Sequence, residues 1–165
     1  MKIITVSATN HPKAGNVRLL QAIALLATQH VFTHFSNLGE LPLFTLAQAE
    51  NQLVKDWKTA VRDSDAVIFS TPEYLHNLPA ALKSALEWLT TGGELAGKKV
   101  IAMTCTPHAP RGEQAMQSLL WSLNALDANV VVNFPVYGIT NKLTEDNQII
   151  DEELGEMLEL ALEQL

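Results

Sequence analysis

Three short segments of the 165-residue chain hold residue types suited to gripping a ligand rather than filling a core. The first reads Ser7-Ala8-Thr9-Asn10-His11-Pro12-Lys13-Ala14-Gly15-Asn16 and runs into an apolar-periodic stretch that begins at Val17. Backbone amides at the start of a helix attract an anion, and hydroxyl and amide side chains add hydrogen bonds to it. Thr9, Asn10 and Asn16, with the cations Lys13 and Arg18, are therefore candidates to hold a phosphate. The segment lacks the Gly-Lys-Ser/Thr ending of a P-loop and the spacing of a G-x-G-x-x-G fingerprint. The plainer alternative is a polar connection with Asn16 as helix N-cap. The second segment, Thr71-Pro72-Glu73-Tyr74-Leu75-His76-Asn77-Leu78-Pro79, places an acid and an aromatic between two prolines. That makes a stiff loop whose ring could pack on a planar ligand, or a rigid turn with Tyr74 half buried. The third is Thr106-Pro107-His108-Ala109-Pro110-Arg111-Gly112. Cys105 precedes it, and His108 is the nearest base in sequence, but a lone cysteine ending a strand reads first as buried and inert. No cluster of histidine and carboxylate has metal-ligand spacing. Ser70 lacks the glycine-flanked elbow of a hydrolase.

The apolar spacing supplies the elements that must position these segments. Ile3 to Ser7 reads as a buried strand, and Asn16 to His30 as a helix with Val17, Leu20, Ile23, Ala24 and Ala27 on one face. Val31 to Phe35 alternates less cleanly and suits an edge strand. A loop containing Leu41-Pro42-Leu43-Phe44 follows. Glu50 to Asp63 is the second helix, Asp65 to Ser70 the third strand, and Pro79 to Thr90 the third helix, with proline in its first turn and Gly92-Gly93 beyond its end. Lys98 to Thr104 is the fourth strand, Glu113 to Leu126 the fourth helix, and Asn129 to Asn133 the fifth strand. The C-terminal segment is a fifth helix with Leu154, Leu158 and Leu162 on its apolar side. Such alternation implies a parallel sheet covered by helices on both faces. With right-handed crossovers, five strands suit the doubly wound order 2-1-3-4-5, which places a ligand at the carboxyl ends of the first and third strands. There is no internal repeat and no linker, so one domain over 1–165 is expected.

Charge and cysteine content narrow the function classes. From Glu145 to Leu165 there are eight acids and no Lys or Arg, although the formal net charge of the whole chain is only -7. Those acids read as the solvated face of the last helix. No dense basic stripe exists, which argues against nucleic acid as a partner. No apolar stretch approaches the ~20 residues that cross a bilayer, so no membrane partner is expected. One cysteine allows no intramolecular disulfide and fits a reducing compartment, and a cytoplasmic protein is expected.

The second segment and the helix after it, TPEYLHNLPAALKSALEWL over Thr71 to Leu89, resemble the signature of the NADPH-dependent FMN reductases. That signature reads TPEYN, a few residues, then P-G-x-L-K-N-A-[IL]-D-W. Thr71, Pro72, Glu73, Tyr74, Pro79, Leu82, Lys83, Ala85 and Trp88 match in place, and Glu87 replaces aspartate. Leu41-Pro42-Leu43-Phe44, Gly97-Lys98-Lys99-Val100 and Arg111-Gly112 resemble further parts of the pattern. The phosphate loop of that family, roughly G-S-x-R-x-x-S-x-N, puts Thr9 at the serine and Asn16 at the final asparagine. Ala8 replaces glycine, His11 arginine and Ala14 the second serine, while Leu75 stands where asparagine is usual and Ala80 where glycine is.

The resemblance implies an α/β, flavodoxin-like three-layer sandwich that binds FMN and takes electrons from NADPH or NADH. It implies a two-stage cycle, in which the nucleotide leaves before a small-molecule electron acceptor arrives: a free flavin, quinone, azo compound or metal oxyanion. The cofactor-binding residues it implies are Thr9, Asn10, His11, Asn16 and Val17 on the phosphate side. On the ring side they are Pro72, Glu73, Tyr74, Leu75, Thr106, Arg111 and Gly112. Amides at the start of the fourth helix, with Arg111, are expected to face the charge of the reduced ring. A homodimer or homotetramer is implied, with Trp88 and Trp121 as apolar anchors. Two other readings stay open: an electron-carrying flavodoxin, and a flavin-free structural or regulatory domain, for which the replacements at Ala8, His11 and Ala14 speak.

Overall fold

The computed structural model describes residues 1–9, 11–47 and 49–165. Five parallel strands form one sheet in the order β2-β1-β3-β4-β5. They are β1 (Lys2–Ser7), β2 (Val31–Phe35), β3 (Ala66–Thr71), β4 (Lys99–Thr106) and β5 (Asn129–Tyr137). The helices between and after them are α1 (Gly15–Leu26), α2 (Gln52–Arg62), α3 (Ala80–Glu87), α4 (Glu113–Ala125) and α5 (Glu152–Leu162). The expected sheet order is the observed one, and every strand lies within a few residues of its expected place.

The sheet is buried on both faces because alternate side chains feed two cores. Ile4, Val6, Val67, Phe69, Val100 and Ala102 pack with α2, α3 and α4. Ile3, Ala66, Ile68, Ile101, Met103 and Cys105 pack with α1 and α5. β3 is buried along its whole length, as a central parallel strand must be. β2 is half exposed, which its poor alternation anticipates. The C-terminal acids do coat the solvent side of α5, whose first turn is capped by Asp151 accepting from Leu154 N at 2.9 Å.

Four elements differ most in their bounds from the sequence reading. α1 ends at Leu26 rather than His30, because 27–30 must reverse the chain into β2, and His30 N donates to Ala27 O there. α3 starts after Pro79 and stops at Glu87, its end loosening into turns through Thr90. β4 runs on through Cys105 and Thr106, so both belong to the sheet rather than to the following loop. β5 continues to Tyr137 through Pro135. Proline normally marks a strand end, but an edge strand can spare the N–H.

Registration carries the loops to one rim. Ser7 pairs with Ser70 and Thr71 with Thr104, so the connections after β1, β3 and β4 leave the sheet side by side. Two tryptophans brace the far side. Trp57 Nε1 donates to Ala85 O at 2.9 Å, locking α2 to α3. Trp88, expected as an interface anchor, is instead 3% exposed. Its Nε1 donates to Pro42 O at 2.8 Å and its ring meets Phe44 edge-on at 5.2 Å, so it fastens the segment after β2 to α3. Trp88→Ala is expected to cost about 3–5 kcal/mol of stability through the cavity and the lost hydrogen bond. Urea denaturation checks this, and a loss under ~1 kcal/mol would contradict the packing role.

Candidate cofactor and acceptor site

The loop after β1 ends in a helix start with free donors. α1 has Ala14 at its cap position, no side chain accepting there, and no acid in its first turn. The amides of Gly15, Asn16 and Val17 therefore have no acceptor among the described residues. α2 and α5 are capped by their own Asn51 and Asp151. An uncapped helix start on the rim is a site for an anion. Gly15 lies so close to its neighbours that a Cβ there would meet Ile139 Cγ2 at 2.6 Å, which keeps the first turn bare.

Side chains around this turn divide into two groups. Thr9 is half buried, its amide donating to Ser7 Oγ at 3.2 Å. His11 is exposed, and its Nδ1 accepts from Lys13 N at 3.2 Å, leaving Nε2–H to donate outward. Lys13 is exposed as well. The expected contribution of Asn16 changes. It is not the N-cap, and its side chain is buried, with Oδ1 accepting from Ser70 Oγ at 2.7 Å and Nδ2 donating to Cys105 O at 3.4 Å. Asn16 therefore offers only its main-chain N–H, as does buried Val17. Arg18, expected near the phosphate, turns away: Nε donates to Asn147 Oδ1 at 2.8 Å and Nη2 to Thr144 O at 2.6 Å. Asn10 lies outside the described residues.

The loop after β3 is tied to α4 by one carboxylate. Glu73 is 6% exposed, and its Oε2 accepts from Gln114 N at 3.0 Å and Ala115 N at 3.1 Å. Two of the α4 amides expected to face the ring are thus taken by Glu73, and the Arg111 amide donates to His108 O at 3.1 Å, so Arg111 is left to offer its side chain. Glu73 Oε1 also stands 3.5 Å from His76 Nδ1. Pro72 is half buried behind it, and Tyr74 is 52% exposed at the tip.

The loop after β4 closes on itself. Thr106 Oγ1 donates to Arg111 O at 2.7 Å, so that hydroxyl is spent holding the loop. Gly112 adopts φ of 109°, and a Cβ there would meet Thr104 Oγ1 at 2.9 Å. Only glycine can bring this turn down onto β4. Between the two loops lies a cleft of about 600 Å³, lined by Glu73, Leu75, His76, His108, Arg111 and Gln114 among others. Of the expected site residues, Glu73, Leu75 and Arg111 line it, while Pro72, Tyr74 and Gly112 are not among its lining residues and Thr106 instead lines a smaller pocket beside Gly15 and Cys105. Thr9, His11, Asn16 and Val17 are not among its lining residues and lie before and at the start of α1. His76 and Gln114 were not anticipated, and His108 was named only as a base near Cys105; a histidine in each of the two loops was the available signal. Cys105 is buried, which pushes its thiol up to about 12, and His108 is exposed and turned to Ala109 O at 3.3 Å. That pair is no catalytic dyad. Glu73→Ala is expected to cost about 1–3 kcal/mol by orphaning two helix-start amides, with Glu73→Gln losing less. Equal stability of both variants with the wild type in urea would contradict the tether.

A family model described as NADPH-dependent FMN reductase matches residues 1–140. The chain is 30% identical over 175 residues to the NADH-dependent flavin reductase subunit 2 of Lactobacillus johnsonii, covering 98% of this chain and 93% of that one. It is 26% identical over 170 residues to a 2-hydroxy-1,4-benzoquinone reductase of a Burkholderia species, covering 99% and 93%. Among solved structures, the flavoenzyme NAD(P)H:(acceptor) oxidoreductase FerB of Paracoccus denitrificans superposes with a TM-score of 0.81 at 20% identity, covering 98% and 93%, a likeness of fold. The matched span contains all three rim loops, the bare start of α1 and the cleft, and the chain belongs to the NADPH-dependent FMN reductase family, as an NAD(P)H-dependent flavin oxidoreductase.

Proposed function

We propose that the phosphate of FMN rests on the first turn of α1 and that its ring lies between the loops after β3 and β4. The observation that carries this reading is the α1 start without a side-chain cap, with three amides that have no acceptor among the described residues, no acid in the first turn, and Lys13, Thr9 and His11 in the loop before it. FMN, when bound, supplies the hydride chemistry between NAD(P)H and an acceptor, so the chain contributes position and electrostatics. Gly15, Asn16 and Val17 donate their amides to the phosphate, and Lys13 adds charge. Glu73 holds the two ring-side loops at a fixed separation. Arg111 lines the cleft and offsets negative charge placed there. No side chain is asked to act as acid or base. The acceptor is a small electrophile such as a quinone, free flavin, azo compound or metal oxyanion. The single domain runs over the whole of 1–165. One cysteine and no possible intramolecular disulfide support a cytoplasmic setting.

We further propose a homodimer or homotetramer in which α4 meets a second copy. From Gln114 to Leu126 the chain carries no charged residue, and Trp121 on that helix is 66% exposed. An uncharged face with an exposed indole is what a chain of net charge -7 can press against its own copy.

Two measurements test these readings. Without the arginine of the family loop, FMN is expected to bind in the micromolar range, about -8 kcal/mol, and riboflavin at least ~10-fold more weakly. Equal affinity for the two ligands in a fluorescence titration would remove α1 from the site. Trp121→Glu is expected to yield monomers in sedimentation at micromolar concentration with unchanged thermal stability. Unaltered assembly would exclude that face.

A further inference from the structure

Leu75 is 99% exposed and adopts φ of 51°, and His76 after it adopts 57°. Tyr74 and Asn77 exchange both backbone hydrogen bonds, at 3.0 and 2.9 Å. That closes a two-residue turn whose central residues must both be left-handed. Glycine and asparagine accept this conformation readily, whereas a leucine is strained in it. The side chain recovers nothing from a core, since it projects into solvent on the wall of the 600 Å³ cleft. Neither the turn nor the packing accounts for leucine here. The related signature carries asparagine at this position, the residue the turn itself would choose.

Apart from Pro110, the other residues lining the cleft carry polar or charged side chains. Arg111 and His108 come from the loop after β4, and His76 sits beside Leu75. Leu75 is the one large aliphatic side chain among the lining residues. We propose that Leu75 is a specificity-determining residue: an apolar finger, held out by a strained turn, that selects flat apolar acceptors of the quinone class over small hydrophilic ones. The ring of such an acceptor would lie against Leu75 with a carbonyl oxygen toward Arg111 or His108. The overall exchange balances as quinone, NAD(P)H and one proton giving hydroquinone and NAD(P)⁺. This inference rests on the proposed function, with the acceptor entering the same cleft beside the FMN ring.

The test compares the FMN-loaded wild type with Leu75→Asn and Leu75→Met. Menadione serves as the apolar acceptor and ferricyanide as the hydrophilic one. Naphthol, which accepts no electrons, serves as a binding probe by fluorescence titration. For Leu75→Asn at saturating FMN, the ratio of kcat/KM for menadione to that for ferricyanide is expected to fall about 10-fold, and naphthol affinity by a similar factor. Relief of the strained turn is expected to raise the melting temperature by about 2–4 °C. Leu75→Met should keep the menadione rate. An unchanged preference between the acceptors, or equal losses for both, overturns the role of Leu75 and leaves the reductase reading standing. Dissociation of the assembly by Leu75→Asn also overturns it, because the leucine then serves a subunit contact. A wild type that oxidises neither NADPH nor NADH with either acceptor removes the function and the inference together.

Discussion

Two amides at the start of α4 have no acceptor within their own helix, and Glu73 satisfies both from a neighbouring loop. The rest of the site depends on this long-range cap. It sets the distance between the loop after β3 and the helix that follows β4, and so the width of the cleft between them. It also brings a buried negative charge to the rim, which keeps the positive end of the α4 dipole from acting as an anion site. The start of α1 carries no side-chain cap and the cleft beside Arg111 lies open, the two features on which the proposed placement of FMN rests. One helix start is filled by Glu73, while the starts of α1 and α3 have no side-chain cap.

A second buried polar side chain ties the open end down. Asn16 reaches across to β3 through Ser70 and to β4 through Cys105 O. The first turn of α1 is thus fixed to two central strands by a side chain rather than by a cap. Buried amides require such partners, and using them here spares the main-chain donors for a ligand. Arg18 leans outward to the 144–147 turn and anchors the other end of the same surface.

The fold was legible from periodicity because the strands are short, apolar and punctuated, and because a parallel sheet buried on both faces needs continuous apolar runs such as Ala66 to Phe69. Boundaries were less legible where one residue type has two meanings. The sequence reading stops the fifth strand at Asn133, whereas the strand runs on through Pro135, which an edge position tolerates. Site residues were legible by segment rather than by role. Glu73 stood out as an acid in a stiff loop, yet its partners are amides of Gln114 and Ala115, forty residues on, which no local pattern announces. Asn16 and Arg18 had the right chemistry for a phosphate and the right position in sequence. Their side chains are drawn away by Ser70, Cys105, Thr144 and Asn147, partners that only the tertiary fold supplies. Trp88 and Trp121 are equivalent as letters, but one closes a loop and the other faces water.

The passage of β5 through Pro135 has a bearing on solubility. β5 is nine residues long and forms one open margin of the sheet, a length over which a foreign strand could add itself to the ladder. Growth of that kind needs an unbroken row of outward donors. A proline withholds one N–H and its ring obstructs close approach, so an added strand would lose registry partway along. Pro135 is thus a guard against end-to-end stacking of sheets, at a margin where the neighbouring helix α5 adds the repulsion of its carboxylates.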